Sequence, residues 1–190
     1  MSERERLSEL VLTRTRAWVE NVVIGLNLCP FAKAVQSKGQ VRYALSAAEN
    51  ERELLSDLER ELLLLSKSDP AELDTTLLVH PQVLQGFFDY NDFLERADEL
   101  LVELGLEGEL QVASFHPDYC FADAKSDDPA NYTNRSPYPM LHLLREASVT
   151  RAVDSFPDTA SIYERNVRLL RELSTEALRE LLARGRAEPE

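Results

Sequence analysis

The sequence predicts an α/β fold, in which a small, mainly parallel sheet of three to four strands with βαβαβ crossovers is flanked by several amphipathic helices. Two observations predict it. Three short apolar segments read as strands, and a leucine-rich stretch of helical length separates each from the next. We expect 1–190 to form a single globular domain, because a chain of this length is most simply one domain and no linker is evident.

The N-terminal helix is predicted over residues 3–24, where apolar residues recur at helical spacing. The next segment, 27–33, breaks this pattern. Pro30 is well placed as the first residue of a new short helix, which would put Cys29 at the helix cap.

The βαβαβ core is predicted over residues 40–116. Its strands are expected at 41–45, 75–79 and 110–115, with one helix ending before Pro70 and another over about 89–104. Crossover helices between strands of one sheet imply parallel strands and right-handed connections.

A long loop without hydrophobic periodicity is predicted over residues 116–137. Loops of this length in a compact domain are usually functional or disordered, and the Tyr, Phe and Asn content of this one favours an ordered loop. C-terminal helices are expected over 139–183, the first of them running from Met140 to about Val153.

The charge balance argues against two classes of partner. Lys and Arg total 21 against 34 Asp and Glu, which gives a formal net charge of −13. Nucleic acids and anionic membranes both recruit cationic surfaces. We therefore expect no nucleic-acid partner and no membrane partner, and a small-molecule ligand instead. The oligomeric state stays open.

The N-terminus and the cysteines predict a cytoplasmic protein. The chain starts with charged residues, no segment has the roughly 18 uninterrupted apolar residues of a membrane span, and the start does not read as a signal peptide. Cys29 and Cys120 lie in dissimilar contexts, so a disulfide framework is not expected.

The most specific internal signal is a repeated strand ending. The second and third predicted strands both end in His-Pro, at His80 and His116. If the strands are parallel, both imidazoles emerge at the carboxyl edge of the sheet, where ligands of open α/β sheets bind. We predict that they act as acid/base catalysts or metal ligands. The alternative is that each caps its strand and hydrogen-bonds a loop.

A third histidine suggests a metal site. On the helix predicted from Met140, His142 and Glu146 would lie one turn apart on one face. Together with His80 and His116 they could bind zinc or another divalent metal. The alternative, a solvent-facing pair on the helix, is favoured over the metal.

Cys29 is the candidate nucleophile. A thiol at a helix N-terminus, one turn from Lys33, is favoured as the thiolate, which is the reactive form. The alternative is a buried structural cysteine before a helix-starting proline.

Polar groups in the long loop are candidates for substrate binding. Arg135 could hold a carboxylate or phosphate with two hydrogen bonds. The residues assigned to substrate binding are Asn131, Asn134, Arg135, Ser136, Tyr138 and Arg145. The alternative is that the Asn and Thr residues form turns and that Arg135 pairs with a nearby acid.

Together these segments resemble an uncharacterised bacterial family, the one labelled domain of unknown function 1415. The likeness extends from about Trp18 to Leu170. The segments that carry it are Asn27–Ala32, Leu78–Pro81, Phe88–Phe93, Val112–Pro117, Thr133–Pro139 and His142–Ser148. The resemblance implies no established activity and supplies no catalytic roles.

Two functions are compatible with these residues. The first is an enzyme, a hydrolase or transferase using Cys/His chemistry or a divalent metal, that acts on a small anionic molecule at the carboxyl edge. The alternative is a non-catalytic ligand-binding or protein-interaction module, in which the His-Pro corners only shape loops.

Overall fold

Seven α-helices and four strands make up residues 2–156 and 158–184, which the computed structural model describes. The helices are α1 (Glu3–Trp18), α2 (Ala32–Ser37), α3 (Glu51–Lys67), α4 (Phe87–Glu103), α5 (Glu146–Ser155), α6 (Thr159–Glu172) and α7 (Thr175–Arg184). The strands are β1 (Val41–Leu45), β2 (Thr75–Val79), β3 (Leu110–Phe115) and β4 (Met140–Arg145). A π-helical turn (Val19–Ile24) follows α1, and a 3-10 helix (Pro129–Thr133) lies between β3 and β4. Residues 1, 157 and 185–190 of the predicted domain lie outside the described residues.

The sheet has four strands in the order β1-β2-β4-β3. β1 and β2 pair in parallel, whereas β4 is antiparallel to both β2 and β3. The α/β class and the strand number are thus confirmed, but the prediction of a mainly parallel sheet was wrong. β1, β2 and β3 do run in the same direction. Their carboxyl ends therefore lie at one edge, and β4 is inserted between β2 and β3 in the opposite direction.

The inserted strand was predicted as helix. The run Met140–Arg145 is apolar apart from its histidine and terminal arginine, and a short apolar run does not distinguish a buried strand from a buried helix. Here each side of β4 meets a neighbouring strand, so its backbone groups are satisfied by two ladders. The C-terminal helices accordingly begin at Glu146 and not at 139.

The N-terminal helix extends to Ile24, as predicted, but its last six residues form a π-helical turn. The short helix that follows differs from the prediction. It begins at Ala32 with Phe31 as its N-cap, so Cys29 lies in the preceding turn and does not cap a helix.

One face of the sheet is covered by α3 and α4. Leucines of α3 pack with Phe93 of α4 against Leu78, Leu141 and Leu143 of the sheet in a single buried cluster. Burial of each such side chain contributes roughly 1.5–3 kcal/mol. This face therefore supplies much of the stability of the fold.

The opposite face is covered by the N-terminal helix and the C-terminal helices. Trp18, Val19 and Val22 form a second cluster with residues of β2 and β4 and with Leu170 and Leu178. Between α1, α2, α5 and the sheet this face is not filled by side chains. The space that is left forms the cavity described below.

No helix within the described ranges is both long enough and apolar enough to cross a membrane.

Candidate functional site

His80 and His116 lie at the same edge of the sheet, at the carboxyl ends of β2 and β3. Both side chains are fully buried. The His80 amide donates to the carbonyl of Pro139 (3.0 Å), and the His116 amide donates to the carbonyl of Asn134 (3.2 Å). The His80 bond prolongs the β2–β4 ladder by one residue, whereas the His116 bond ties the end of β3 to the loop that precedes β4.

Both imidazoles hold the loop of residues 81–86. Nδ1 of His80 donates to the carbonyl of Val83 (3.1 Å), and Nε2 of His116 donates to the carbonyl of Leu84 (3.2 Å). Nδ1 of His116 accepts from the amide of Asp118 (3.0 Å), which fixes the tautomer with its proton on Nε2. Leu84 has φ +57°, a left-handed conformation that leucine rarely adopts. The two histidines thus stabilise a strained loop.

Tyr90 of α4 lies between the two histidines, and we call His80, Tyr90 and His116 the edge cluster. The Tyr90 ring stacks on His80 with centroids 5.8 Å apart and lies 5.0 Å from His116. Its hydroxyl donates to the carbonyl of Met140 (2.8 Å) and accepts from the amide of Phe115 (3.0 Å). It therefore links β3 and β4 at the last residue pair of their ladder.

The edge cluster carries no charge at neutral pH. Burial lowers the pKa of His80 to about 4 and also lowers the pKa of His116. Burial raises the pKa of Tyr90 well above its ordinary value. The Nε2 atom of His80 is buried and lacks a hydrogen-bond partner among the described residues. A neutral, aromatic cluster of this kind is suited to holding a loop and gives little attraction for an anion.

Arg135 and its neighbours in the long loop are occupied by the loop itself. The Arg135 guanidinium donates to the carbonyls of Tyr119 (3.2 Å) and Ser126 (2.7 Å) and lies over the ring of Tyr132 (4.7 Å). Arg135 therefore links three parts of the loop to one another.

The other polar residues of this region behave in the same way. Nδ2 of Asn131 donates to the carbonyl of Lys125 (2.7 Å) and that of Asn134 to the carbonyl of Ser114 (3.1 Å). The Ser136 hydroxyl donates to the carbonyl of Tyr138 (2.7 Å). The Tyr138 hydroxyl accepts from Arg14 (3.3 Å). Of these bonds, only that of Ser136 is a local turn contact, and the others join residues that lie further apart in the chain.

Arg145 lies at the opposite edge of the sheet. Because β4 is antiparallel to β2 and β3, its last residue lies at the edge of the sheet opposite to His80 and His116. The Arg145 side chain is 7% exposed and donates to the carbonyls of Leu65 (2.6 Å), Ser68 (2.7 Å) and Leu73 (3.1 Å). It caps the end of α3 and does not join the other residues assigned to substrate binding.

The four residues considered as metal ligands are not brought together. His142 lies in the middle of β4 and Glu146 one residue past its end, so they are not one helical turn apart. Within residues 2–156 and 158–184, no group of three or more His, Cys, Asp or Glu side chains is arranged to hold a metal ion.

His142 faces the incompletely filled side of the sheet. Its Nε2 lies 2.8 Å from the hydroxyl of Thr75, which itself donates to the carbonyl of Leu143 (2.6 Å). Since the hydroxyl proton is used in that bond, Nε2 of His142 must be the donor and Nδ1 carries the lone pair. Burial lowers the pKa of His142 to about 4, so the ring is neutral at neutral pH.

A cavity of about 910 Å³, which we call the sheet-face cavity, lies over His142. Its floor is formed by side chains of all four strands, and its walls by the N-terminal helix, the segment around α2, residues 70–74 and α5. The lining residues used below are Trp18, Cys29, Lys38, Asp74, Thr75, Gln111, Phe115, His142, Ser148, Arg151 and Ala152.

Three aromatic rings follow one another along this cavity. The Trp18 ring meets Phe115 edge-on with centroids 5.4 Å apart, and Phe115 lies 5.9 Å from His142. Trp18 is 2% exposed, and its indole nitrogen is buried with no hydrogen-bond partner in the described part of the chain.

Cys29 and the charged lining residues lie around the cavity as well. Cys29 is a free, partly buried thiol. The exposed Lys38 and Arg151 are opposed by a single carboxylate, Asp74, which accepts from the Ser148 hydroxyl (2.5 Å). Arg151 in turn donates to Ser148 (2.8 Å).

Of the predicted site residues, therefore, only Cys29 and His142 line this cavity, whereas His80 and His116 form the edge cluster. Trp18, Gln111, Lys38 and Arg151 were not predicted as site residues. The signal that was available is the alternation within Met140–Arg145, because reading it as a strand places His142 on the face opposite Leu141 and Leu143.

Comparison with known proteins identifies one family. A model of the family described as protein of unknown function (DUF1415) matches residues 10–180. No curated protein and no solved structure gives a significant match.

Proposed function

The chain belongs to the DUF1415 family, whose function is unknown, and from its sheet-face cavity we propose that the protein binds a small, mainly apolar molecule carrying one anionic group. The observation that carries this proposal is the cavity itself. Its volume of about 910 Å³ falls within the range of about 300–1,000 Å³ that is usual for small-molecule sites. Its lining is mainly apolar, with a few polar groups, as such sites generally are.

The charges around the cavity support an anionic ligand. Lys38 and Arg151 give two positive charges against one negative charge of Asp74, a local balance of +1 in a chain of net charge −13. Lys38 and Arg151 are both exposed, so they lie at the rim and not on the floor. An anionic group would therefore stay near solvent while the apolar body is buried.

A fluorescent anion tests this proposal directly. Anilinonaphthalene sulfonate combines aromatic rings with one sulfonate. Trp18 is the single tryptophan of the chain and lies in the cavity wall. We expect the dye to bind at micromolar concentration and to accept excitation energy from Trp18. Ala152→Phe, which fills the cavity, should weaken binding at least tenfold, whereas Ala122→Phe on the exposed surface should not.

The rim charge has its own matched pair of variants. Lys38→Gln should weaken dye binding about twofold to fivefold at low salt, whereas Lys33→Gln, on the adjacent helix α2 and outside the lining, should leave it unchanged. Dye binding that is indifferent to Ala152→Phe, or the absence of energy transfer from Trp18, would contradict the proposal.

A second candidate function is an enzyme in which Cys29 attacks the bound molecule, as in a hydrolase or transferase. It is favoured by one observation, the partly buried free thiol in the lining of the same cavity. Cys120 provides an internal control, since its sulfur donates to the carbonyl of Ala124 (3.5 Å) within the long loop. Alkylation followed by mass spectrometry should modify Cys29 faster, and the dye should protect it. Equal rates at the two thiols would remove this candidate.

The catalytic assignment of His80 and His116 and a cytoplasmic location stay predictions. The hydrogen bonds of the two histidines to the 81–86 loop favour the alternative in which they shape that loop. The two free cysteines are compatible with a reducing compartment.

A further inference from the structure

We infer that the ligand of the sheet-face cavity is an aromatic acid whose inner end, opposite its anionic group, carries a neutral hydroxyl or ring N–H that hydrogen-bonds His142. This inference rests on the proposed function and makes it more specific. It names the chemical class of the ligand and the direction in which the ligand lies.

The first argument comes from His142. Its Nε2–H already donates a hydrogen bond to the Thr75 hydroxyl, which in turn donates one to the carbonyl of Leu143. Nδ1 is therefore an acceptor, and the described residues supply no donor for it. Because burial keeps this ring neutral at neutral pH, Nδ1 attracts a hydrogen-bond donor and not an anion.

The second argument concerns access. The indole N–H of Trp18 also lacks a partner in the described chain, but it is enclosed by protein atoms and no ligand in the cavity reaches it. His142 is partly exposed and lines the cavity. Of the two, Nδ1 of His142 is therefore the atom that a ligand can pair, and an unmade hydrogen bond is expensive in a protein interior.

The third argument concerns the body of the ligand. Trp18, Phe115 and His142 form a continuous row of rings, with neighbouring centroids 5.4 and 5.9 Å apart. Aromatic surfaces interact favourably with other rings in offset-stacked and edge-to-face arrangements. A flat aromatic molecule can use both arrangements along this row, which an alkyl chain cannot.

The fourth argument gives the orientation. The charged lining residues, Lys38, Asp74 and Arg151, come from the turn after α2, the segment before β2 and α5. The sheet contributes no charged side chain to the lining, and its polar groups there are those of Thr75, Gln111 and His142. The anionic group of the ligand therefore faces the rim, and its neutral polar group faces the sheet.

A pair of ligands that differ by one hydroxyl tests this. We would titrate the protein with 2-naphthoate and with 6-hydroxy-2-naphthoate by isothermal calorimetry. The carboxylate and ring system are the same, and the hydroxyl lies at the end remote from the carboxylate. We expect the hydroxylated acid to bind about threefold to tenfold more tightly, because its hydroxyl pairs Nδ1 of His142, which is otherwise left unpaired.

Two variants of His142 assign the gain to one atom. His142→Gln keeps an N–H near the position of Nε2, and so the Thr75 bond, but removes the acceptor Nδ1. It should reduce the advantage of the hydroxylated acid to less than twofold. Because the variant also removes one ring of the row, both acids bind it more weakly, and the ratio of their two dissociation constants is the readout. His142→Asn instead keeps a polar atom near the position of Nδ1 and should retain part of the advantage. Circular dichroism verifies that each variant is folded.

The outcomes separate this inference from the proposed function. If both acids bind wild-type protein equally well, the inference is wrong and the proposed function stands. An advantage of the hydroxylated acid that survives His142→Gln also overturns the inference, since the hydroxyl then lies elsewhere. If neither acid nor the dye binds, the proposed function itself fails.

Discussion

Acid should destabilise this protein well before its carboxylates are protonated, because the buried His80 and the partly buried His142 are both neutral in the folded chain. Burial lowers the pKa of His80 and of His142 from 6.5 to about 4 in the folded chain. The unfolded chain therefore binds more protons between these values. Each neutral ring contributes to the free energy of unfolding. This contribution is fully present above pH 6.5 and is lost as the pH falls towards 4.

The size of the effect follows from the two pKa values. Between pH 7 and pH 5, linkage for a group whose pKa is 6.5 when unfolded and about 4 when folded amounts to about 2 kcal/mol. Two such groups give about 4 kcal/mol, a large part of the roughly 5–15 kcal/mol of a typical domain. Burial also lowers the pKa of His116, which adds a loss of the same sign.

Urea unfolding followed by circular dichroism at the two pH values measures this loss. The net charge of −13 opposes it, since acid also relieves self-repulsion, and variants separate the two effects. His142→Gln retains the Thr75 hydrogen bond but cannot titrate, so its stability should fall about 2 kcal/mol less than that of wild type between pH 7 and pH 5. His80→Asn, which keeps a donor for Val83, should behave alike. Equal pH dependence in wild type and both variants would refute the reasoning.

Three further predictions concern single contacts and use the free energy of unfolding at pH 7. Arg145→Leu should lower it by about 3–5 kcal/mol, because three carbonyls lose a buried charged donor; a loss below 1 kcal/mol would contradict that capping role. Tyr90→Phe should lower it by about 2 kcal/mol, because the Met140 carbonyl and the Phe115 amide lose their bonds to the Tyr90 hydroxyl. Tyr163→Phe on the surface should have no effect. Gly25→Ala should be destabilising despite the better helix propensity of alanine, because its Cβ would collide with the carbonyl of Asn21 in the π-helical turn; a rise in Tm would disprove this.

The part of the fold that could be predicted from sequence is the part with local signals. Leucine at helical spacing identified α3 and α4, and the strands that end at His80 and His116 were recognised by their composition and by the proline after each. The direction of those strands was also predicted correctly. What sequence did not indicate was β4, because the decisive contacts of Met140–Arg145 are with strands 30 and 65 residues earlier in the chain.

The error in β4 also explains the error in the site. As a helix, this segment would place His142 beside Glu146 and bring Arg145 towards the histidine edge. As an antiparallel strand it carries Arg145 to the opposite edge and turns His142 towards the sheet-face cavity. The alternation of Leu141, His142 and Leu143 is the only local sign of a strand, and it does not decide between these arrangements, since both bury the same leucines.

The two faces of the sheet differ in a way that stability alone does not explain. On one face Leu78, Leu141 and Leu143 pack in a single buried cluster with α3 and α4. The charged strand residues of this face, Arg42 and Arg145, are paired with groups of α3. On the other face the same strands present Thr75, Gln111 and His142 to a cavity of about 910 Å³. A polar group at such a position and an unfilled volume both reduce stability, and apolar residues there would pack better. A face that keeps both features is better explained as a binding surface than as an imperfect core. His142 distinguishes the two interpretations, because its Nδ1 has a role only if a ligand binds there.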